Sequence, residues 1–339
     1  MPTMKVMQIQ DTWSPDSIVL AERPTREPGP GEVQLRMAAA SLNYRDYVMS
    51  RGGYGRRGGA LPLIPCSDGA GRVVAVGAGV SRVAVGDLVC PIFTQTWWSG
   101  PFREAHWSGT LGGPRDGVMQ ELMVLSQEGV VRAPRHLDAV QAATLPCAAV
   151  TAWHAVVAQG RVKAGDVVLV QGTGGVSLFA LLFAKMHGAR VLATSSSDAK
   201  LERVRAMGAD HVVNYKTNPD WHKVAREVTG GVGVDLVVEV AGTLDASVRA
   251  VRTSGTLALI GVLAGATAQL GLGAVVTQNI RLQGVTVGSR ELFEDMVRAM
   301  ELHGTVPPVD ERLFAFEEVA SAIKALPAGQ HFGKVCSQF

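Results

Sequence analysis

The chain has 339 residues, 47% of them hydrophobic and 18% charged, with a formal net charge of +2. That length allows two domains with sizeable cores, and the apolar fraction excludes a disordered or solvating acidic chain. The near-neutral balance supplies no broad basic field, which argues against a nucleic acid partner.

From residue 4 to about 125, short alternating runs punctuated by glycine and proline, such as Glu32-Val-Gln-Leu-Arg-Met-Ala38 and Gly71-Arg-Val-Val-Ala-Val76, predict a β-rich domain. Residues 134–146 read as a joint. Beyond it the pattern becomes strand 167–171, helix 176–187, strand 190–194, helix 198–207, strand 211–214, helix 221–228, strand 234–238, helix 244–251 and strand 256–260. Strands and helices alternating at these lengths predict a parallel sheet with helices on both faces. Helices over 292–302 and 316–326 and a strand over 333–337 are expected to return to the first domain. The expected division is therefore 1–125 with 290–339, and 126–289. Cys66, Cys90, Cys147 and Cys336 are scattered without C-x-x-C spacing and are expected as reduced thiols in the cytoplasm. No membrane span is expected, and the first ten residues lack the apolar region of a signal peptide.

The strand over 167–171 runs into Gly172-Thr-Gly-Gly-Val-Ser177 and then a helix, which reads as a dinucleotide-binding unit. Gly172 permits the tight turn, and Gly174 or Gly175 lets backbone N–H groups approach a pyrophosphate at the helix N-terminus, with Thr173 and Val176 completing the turn. Ser177 stands in the place of the usual third glycine. The next strand ends at Ser195, roughly 20 residues after the first glycine, where an acidic residue would hold the ribose 2′-hydroxyl of NAD. Ser195, Ser196, Ser197 and Lys200 instead offer hydroxyls and a cation suited to a 2′-phosphate, so NADP(H) is expected. The alternative is that the serines only cap the following helix.

The order of the two domains, with Ala40-Ser-Leu-Asn-Tyr-Arg-Asp46, Ile64-Pro-Cys-Ser-Asp-Gly-Ala-Gly71, Val85-Gly-Asp-Leu-Val89, Leu145-Pro-Cys-Ala-Ala-Val-Thr-Ala-Trp153 and His331-Phe-Gly-Lys-Val335, resembles the medium-chain dehydrogenase/reductase superfamily over essentially the whole chain. Asn43-Tyr-Arg-Asp46 is similar to its quinone oxidoreductase and zinc-type alcohol dehydrogenase-like branch. The resemblance implies an α/β protein, a GroES-like β-rich domain plus a Rossmann doubly wound parallel sheet, with an active-site cleft between them and a homodimer formed at the Rossmann sheet edge. It also implies cofactor contacts at Tyr215, Ala241, Gly242, Ile260 and Gly261, at Val287-Gly288-Ser289 beside the nicotinamide, and at Phe332 and Lys334 on the adenosine-side phosphate.

Zinc-dependent relatives carry cysteine where this chain has Asn43, histidine at Ser67 and a third ligand at Cys147. Only Cys147 matches, with Asp68 at the family's glutamate position, and an amide and a hydroxyl do not replace thiolate and imidazole. No metal site is expected. Without a Lewis acid, hydride transfer needs hydrogen-bond donors. Tyr44 is the candidate donor, or else packs its ring in the core; Asn43 can orient substrate. By resemblance Thr151 faces the nicotinamide, unless it bonds back to its own helix, which is expected to start after Cys147. His154 and His106 are possible acids or bases, or ordinary surface histidines. Phe93, Trp97, Trp98, Phe102 and Trp107 suit an apolar substrate pocket or a loop core, and the glycine-rich run 51–59 reads as a lid rather than an RNA contact. The expected function is a zinc-independent NADPH-dependent oxidoreductase passing hydride to a quinone, enone or related small apolar carbonyl compound. The alternatives are an alcohol dehydrogenase and a non-catalytic, crystallin-like NADPH-binding protein.

Overall fold

A computed structural model describes residues 2–261, 263, 265 and 267–339. The chain divides into two compact units, residues 1–150 with 288–339, and residues 151–287.

Among the described residues, the second unit holds a six-stranded sheet in the order His211–Asn214, Arg190–Ser195, Val167–Gln171, Val234–Glu239, Val251–Leu259, Arg281–Gly284. Every neighbouring pair is parallel. This is the doubly wound order, which reverses direction beside the first strand and leaves a crevice at the carboxyl ends there. Val167–Gln171 is buried along its whole length, as a strand covered on both faces must be. Leu169, Leu192, Val237 and Leu257 pack on one side with Trp221 and Val248. The helix Gly175–Met186 buries Phe179 and Phe183, whose rings stack at 5.9 Å, and Trp153 meets Phe183 edge-on at 5.2 Å. Strand and helix positions over 167–251 match the sequence pattern closely. The strand expected at 256–260 starts earlier, at Val251, and the helix Leu272–Thr277 and strand Arg281–Gly284 lie in a stretch without clear period.

In the first unit, the described residues form a seven-stranded sheet ordered Val309–Ala315, Lys334–Gln338, Glu32–Ser41, Asp68–Val76, Leu88–Pro91, Val130–Arg132, with Leu122–Ser126 also pairing Glu32–Ser41, and a hairpin of Thr3–Ile9 with Ile18–Pro24. The boundary expected at 125 is corrected to 150. Val130–Arg132 pairs with Leu88–Pro91, and the helix Ala139–Ala143 packs on Glu32–Ser41 and Asp68–Val76, so 126–150 is tied to the first unit's sheet. After Thr144 a helical run passes without a break from Leu145–Ala149 into Val150–Trp153, so Thr151 lies inside it rather than at the start of a new helix.

The returning tail closes through Lys334–Gln338, parallel to Val309–Ala315 and antiparallel to Glu32–Ser41. Gly333 makes this entry possible: its φ is +79°, and a Cβ there would lie 2.1 Å from the Pro308 carbonyl oxygen, which also accepts the Lys334 N–H at 2.8 Å. Both the backbone conformation and the contact exclude a side chain. Gly333→Ala is expected to destabilise the protein by more than about 2 kcal/mol, read as a lower midpoint of urea unfolding.

Candidate functional site

The strand Val167–Gln171 ends at Gly172, with φ +77°, and Gly174 caps the helix Gly175–Met186. A Cβ on Gly172 or Gly174 would meet nothing within 4 Å, so the turn borders open space. Glycine is used here for backbone direction and for clearance at the mouth of a 12-residue helix, the arrangement that takes a diphosphate. Ser177, in the third glycine's place, donates its hydroxyl to the Gln171 carbonyl at 2.6 Å and so braces the turn from below. Thr173 is buried and Val176 half-buried beside it.

The serine run divides its labour. Ser197 caps Asp198–Ala206 by accepting the Lys200 N–H at 3.4 Å, and Ser195 is buried with its hydroxyl accepting the Ser197 N–H at 3.3 Å. Ser196, Ser197 and Lys200 are half-buried, and Tyr215, at the end of the neighbouring strand, is exposed.

Across the switch point stands a residue the sequence reading missed. Glu239 ends the strand Val234–Glu239 at 1% exposure. Its Oε1 accepts three consecutive backbone N–H groups, Ala241 at 3.1 Å, Gly242 at 2.7 Å and Thr243 at 3.2 Å. Its Oε2 accepts the Ser247 hydroxyl and Gln171 Nε2, the latter at 2.9 Å. Gln171 Oε1 in turn faces the Val240 and Ala241 N–H groups at 3.3 and 3.2 Å. At Ala241 and Gly242, where cofactor contacts are expected, a buried carboxylate already holds the backbone amides. A glutamate inside an apolar strand carries no periodic signal of this role. Ile260 and Gly261 follow the next strand, both N–H groups turned to the Glu239 carbonyl, and a Cβ on Gly261 would lie 2.3 Å from the Val240 carbonyl oxygen, so close packing explains that glycine.

Thr151 is buried. His154 is neither a surface residue nor a free acid: Nδ1 lies 2.7 Å from the Val287 carbonyl oxygen and Nε2 lies 3.1 Å from Gln159 Nε2. Burial pushes its pKa down, against the opposing pull of the Val287 and Thr286 backbone. Val287 has φ +30°, a strained conformation for a β-branched residue. Ser289 spends its hydroxyl on capping Arg290–His303, accepting the Leu292 N–H at 3.3 Å, and a Cβ on Gly288 would lie 2.6 Å from Val150 Cγ1.

In the first unit, Asn43 precedes the helix Tyr44–Ser50, whose buried Asp46 accepts the Asn43 N–H at 2.7 Å. Tyr44 is 44% exposed, so its ring is not core filling. Lys334 is the residue expected on the adenosine-side phosphate. It is buried at 3% exposure and its ammonium donates to the Leu42 carbonyl at 2.6 Å and to Asn43 Oδ1. Phe332 is also buried, with its N–H on Asp310. Asn43 Nδ2 is buried without an acceptor at hydrogen-bond distance, yet it stands near enough to Asp68 to favour that residue's ionised form. Asp68 accepts the Ser67 hydroxyl at 2.7 Å and the Cys147 N–H at 3.0 Å; burial raises its pKa, opposed by Lys334 and Ser67. Burial likewise pushes the Cys147 thiol well up. Arg45 completes the cluster, its guanidinium 4.8 Å from the Phe93 ring and donating to the Leu111 carbonyl at 3.1 Å. Trp97, Phe102 and Trp107 pack edge to edge at 4.9 and 5.0 Å, with His106 stacked on Trp97, while Trp98 is exposed. The glycine-rich run is tied to this group, since Arg57 sits 4.9 Å from the Trp107 ring.

The donors do not fit zinc. Among the described residues no three His, Cys, Asp or Glu side chains are grouped to hold a metal ion, and Asn43 already faces an ammonium. Nor is any described helix long and apolar enough to cross a membrane.

Burial raises the Asp46 pKa from 3.8 to about 6, while Arg45 and the Asn43 N–H pull it down. Because the folded state binds the Asp46 proton more tightly than the unfolded chain, the stability it contributes is complete below pH 3.8 and lost as pH rises through about 6. Asp46→Asn, which keeps an acceptor for the Asn43 N–H, is expected to flatten the fall in melting temperature between those values relative to the wild type.

Residues 175–302 match the model of the zinc-binding dehydrogenase family, and residues 29–135 that of the alcohol dehydrogenase GroES-like domain. A zinc-type alcohol dehydrogenase-like protein of Schizosaccharomyces pombe is 42% identical over 90% of both chains. A 2-haloacrylate reductase of a Burkholderia species is 29% identical over 96% of both. Among solved structures, a candidate alcohol dehydrogenase from Sinorhizobium meliloti 1021 superposes with a TM-score of 0.94 at 41% identity, covering 100% of this chain and 99% of its own.

Proposed function

The chain belongs to the medium-chain dehydrogenase/reductase superfamily and is an NAD(P)-dependent oxidoreductase, and within that family we propose that it is a zinc-independent, NADPH-dependent reductase of quinones, enones or related small apolar carbonyl compounds. The observation that carries the reading is the donor set around Asn43, where an amide and a hydroxyl stand at two of the three metal-ligand positions of zinc-dependent relatives and a buried ammonium bonds the amide oxygen. The similarity to a 2-haloacrylate reductase supports an activated double bond as acceptor.

When bound, the dinucleotide supplies the hydride. The chain's residues bind and orient. The Gly172 turn and the N-terminus of Gly175–Met186 hold the diphosphate, and Ser196 and Lys200 meet the 2′-phosphate. Lys334 takes the Asn43 oxygen, which turns Nδ2 toward Asp68 and fixes the amide in one orientation. Tyr44 or solvent supplies the proton. Thr151 and Val287 are assigned to the nicotinamide side. The exposed Leu272 and Val276 beside the edge strand Arg281–Gly284 support a homodimer joined there.

Fluorescence titration is expected to show NADPH bound more tightly than NADH, and Lys200→Ala is expected to weaken NADPH about tenfold while leaving NADH unchanged. Tighter binding of NADH by the wild type would refute the cofactor assignment. Followed at the NADPH absorbance band, turnover of a quinone or enone supports the reductase, whereas turnover of aldehydes alone assigns an alcohol dehydrogenase. Tyr44→Phe is expected to lower kcat on the accepted substrate about 10- to 100-fold with little change in cofactor affinity.

A further inference from the structure

The second unit contains a chain of hydrogen bonds whose direction is set at one end. The Arg281 guanidinium has donors only, and it gives them to the Gln159 carbonyl at 3.1 Å and to Gln159 Oε1 at 2.6 Å. With its oxygen so engaged, the Gln159 amide presents Nε2, a donor, to His154 Nε2 at 3.1 Å. His154 Nε2 must then accept, which places the proton of the neutral ring on Nδ1, where it is donated to the Val287 carbonyl at 2.7 Å. Val287 is the residue held at φ +30°. It lies just past the carboxyl end of the parallel strand Arg281–Gly284, whose ladder continues through the Val285 N–H to the Leu259 carbonyl at 2.9 Å, and that end of the sheet is where ligands bind. Strain at such a position persists only when its surroundings hold it in place.

We propose that His154 is a positioning residue for the nicotinamide end of the cofactor: Arg281 and Gln159 fix it as the Nδ1–H tautomer, and its bond to the Val287 carbonyl holds the backbone at 285–287 in the conformation that receives the ring. The inference rests on the dinucleotide reading above and names the residues that shape one end of that site. The depressed pKa of His154 agrees with a ring kept neutral.

The test compares two probes, NADPH and adenosine 2′,5′-bisphosphate, which lacks the nicotinamide. Dissociation constants are measured for the wild type and for His154→Asn, His154→Gln and His154→Phe. An asparagine amide can place its N–H near the position of Nδ1, whereas glutamine places it near Nε2 and phenylalanine offers none. NADPH affinity is expected to fall about tenfold in the glutamine and phenylalanine variants and to stay within about twofold of wild type in the asparagine variant, with bisphosphate binding unchanged in all three. Gln159→Leu leaves His154 in place and releases its tautomer, and a several-fold loss of NADPH affinity alone is expected, which keeps the proposal testable if a His154 variant fails to fold. Unchanged NADPH affinity in the folded glutamine variant, or an equal loss for both probes, overturns the proposal. If the wild type prefers NADH, the cofactor assignment fails separately, and the same comparison with NADH and ADP carries the same expectation for His154. A wild type that binds neither dinucleotide overturns the underlying reading and this inference with it.

Discussion

A carboxylate removed from water must find donors for both oxygens, and Glu239 does so at the point where the order of the parallel sheet reverses. Its oxygens take the N–H groups of 241–243, the Ser247 hydroxyl and the Gln171 amide. Gln171 is the residue immediately before the Gly172 turn, so one buried charge sets the turn after the fourth strand of the sheet and braces the turn after the first. The open space beside Gly172 and Gly174 is thereby framed by backbone that is already satisfied. A cofactor approaching it meets a preformed turn and need not order one, which lowers the cost of binding.

The first unit meets the same problem with the opposite sign. Lys334 is buried, and burial of an ammonium is tolerated only with acceptors and counter-charges at hand. Leu42 and Asn43 supply the acceptors, and Asp68 and Asp46 lie close enough for Lys334 to oppose the rise that burial imposes on their pKa values. This cluster draws on the helix Tyr44–Ser50, the strand Asp68–Val76, the helical run carrying Cys147 and the last strand of the chain. The returning tail is thus bound by charge as well as by the ladder of Lys334–Gln338.

Elements whose period is enforced by burial were legible in the chain. The strands at 167, 190 and 234 are apolar because both faces are covered, and the glycines between the elements mark real turns. Arg281–Gly284 was not legible, since an edge strand with exposed ends carries no apolar run. The boundary at 150 was hidden for a different reason: a helical run crosses it without a break, so no turn residue announces the change of unit. At the candidate site, residue type pointed to the glycine turn and to the poor metal donor set around Asn43. It gave no sign that Lys334 is buried, and it passed over Glu239 and underrated His154, whose roles depend on partners 68 and 133 positions away.

Both units also solve one orientation problem in the same way. An amide side chain is nearly symmetric in shape, and its two ends differ only in whether they donate or accept. A cation with no lone pair removes that ambiguity. Lys334 can bond only to Asn43 Oδ1, and Arg281 only to Gln159 Oε1, so the nitrogen of each amide is directed to the opposite side. In the first unit that nitrogen lies near Asp68; in the second it reaches His154 and selects the ring tautomer. Direction is imposed by cations that offer donors only, so neither amide can turn over without setting its own N–H groups against those of the cation.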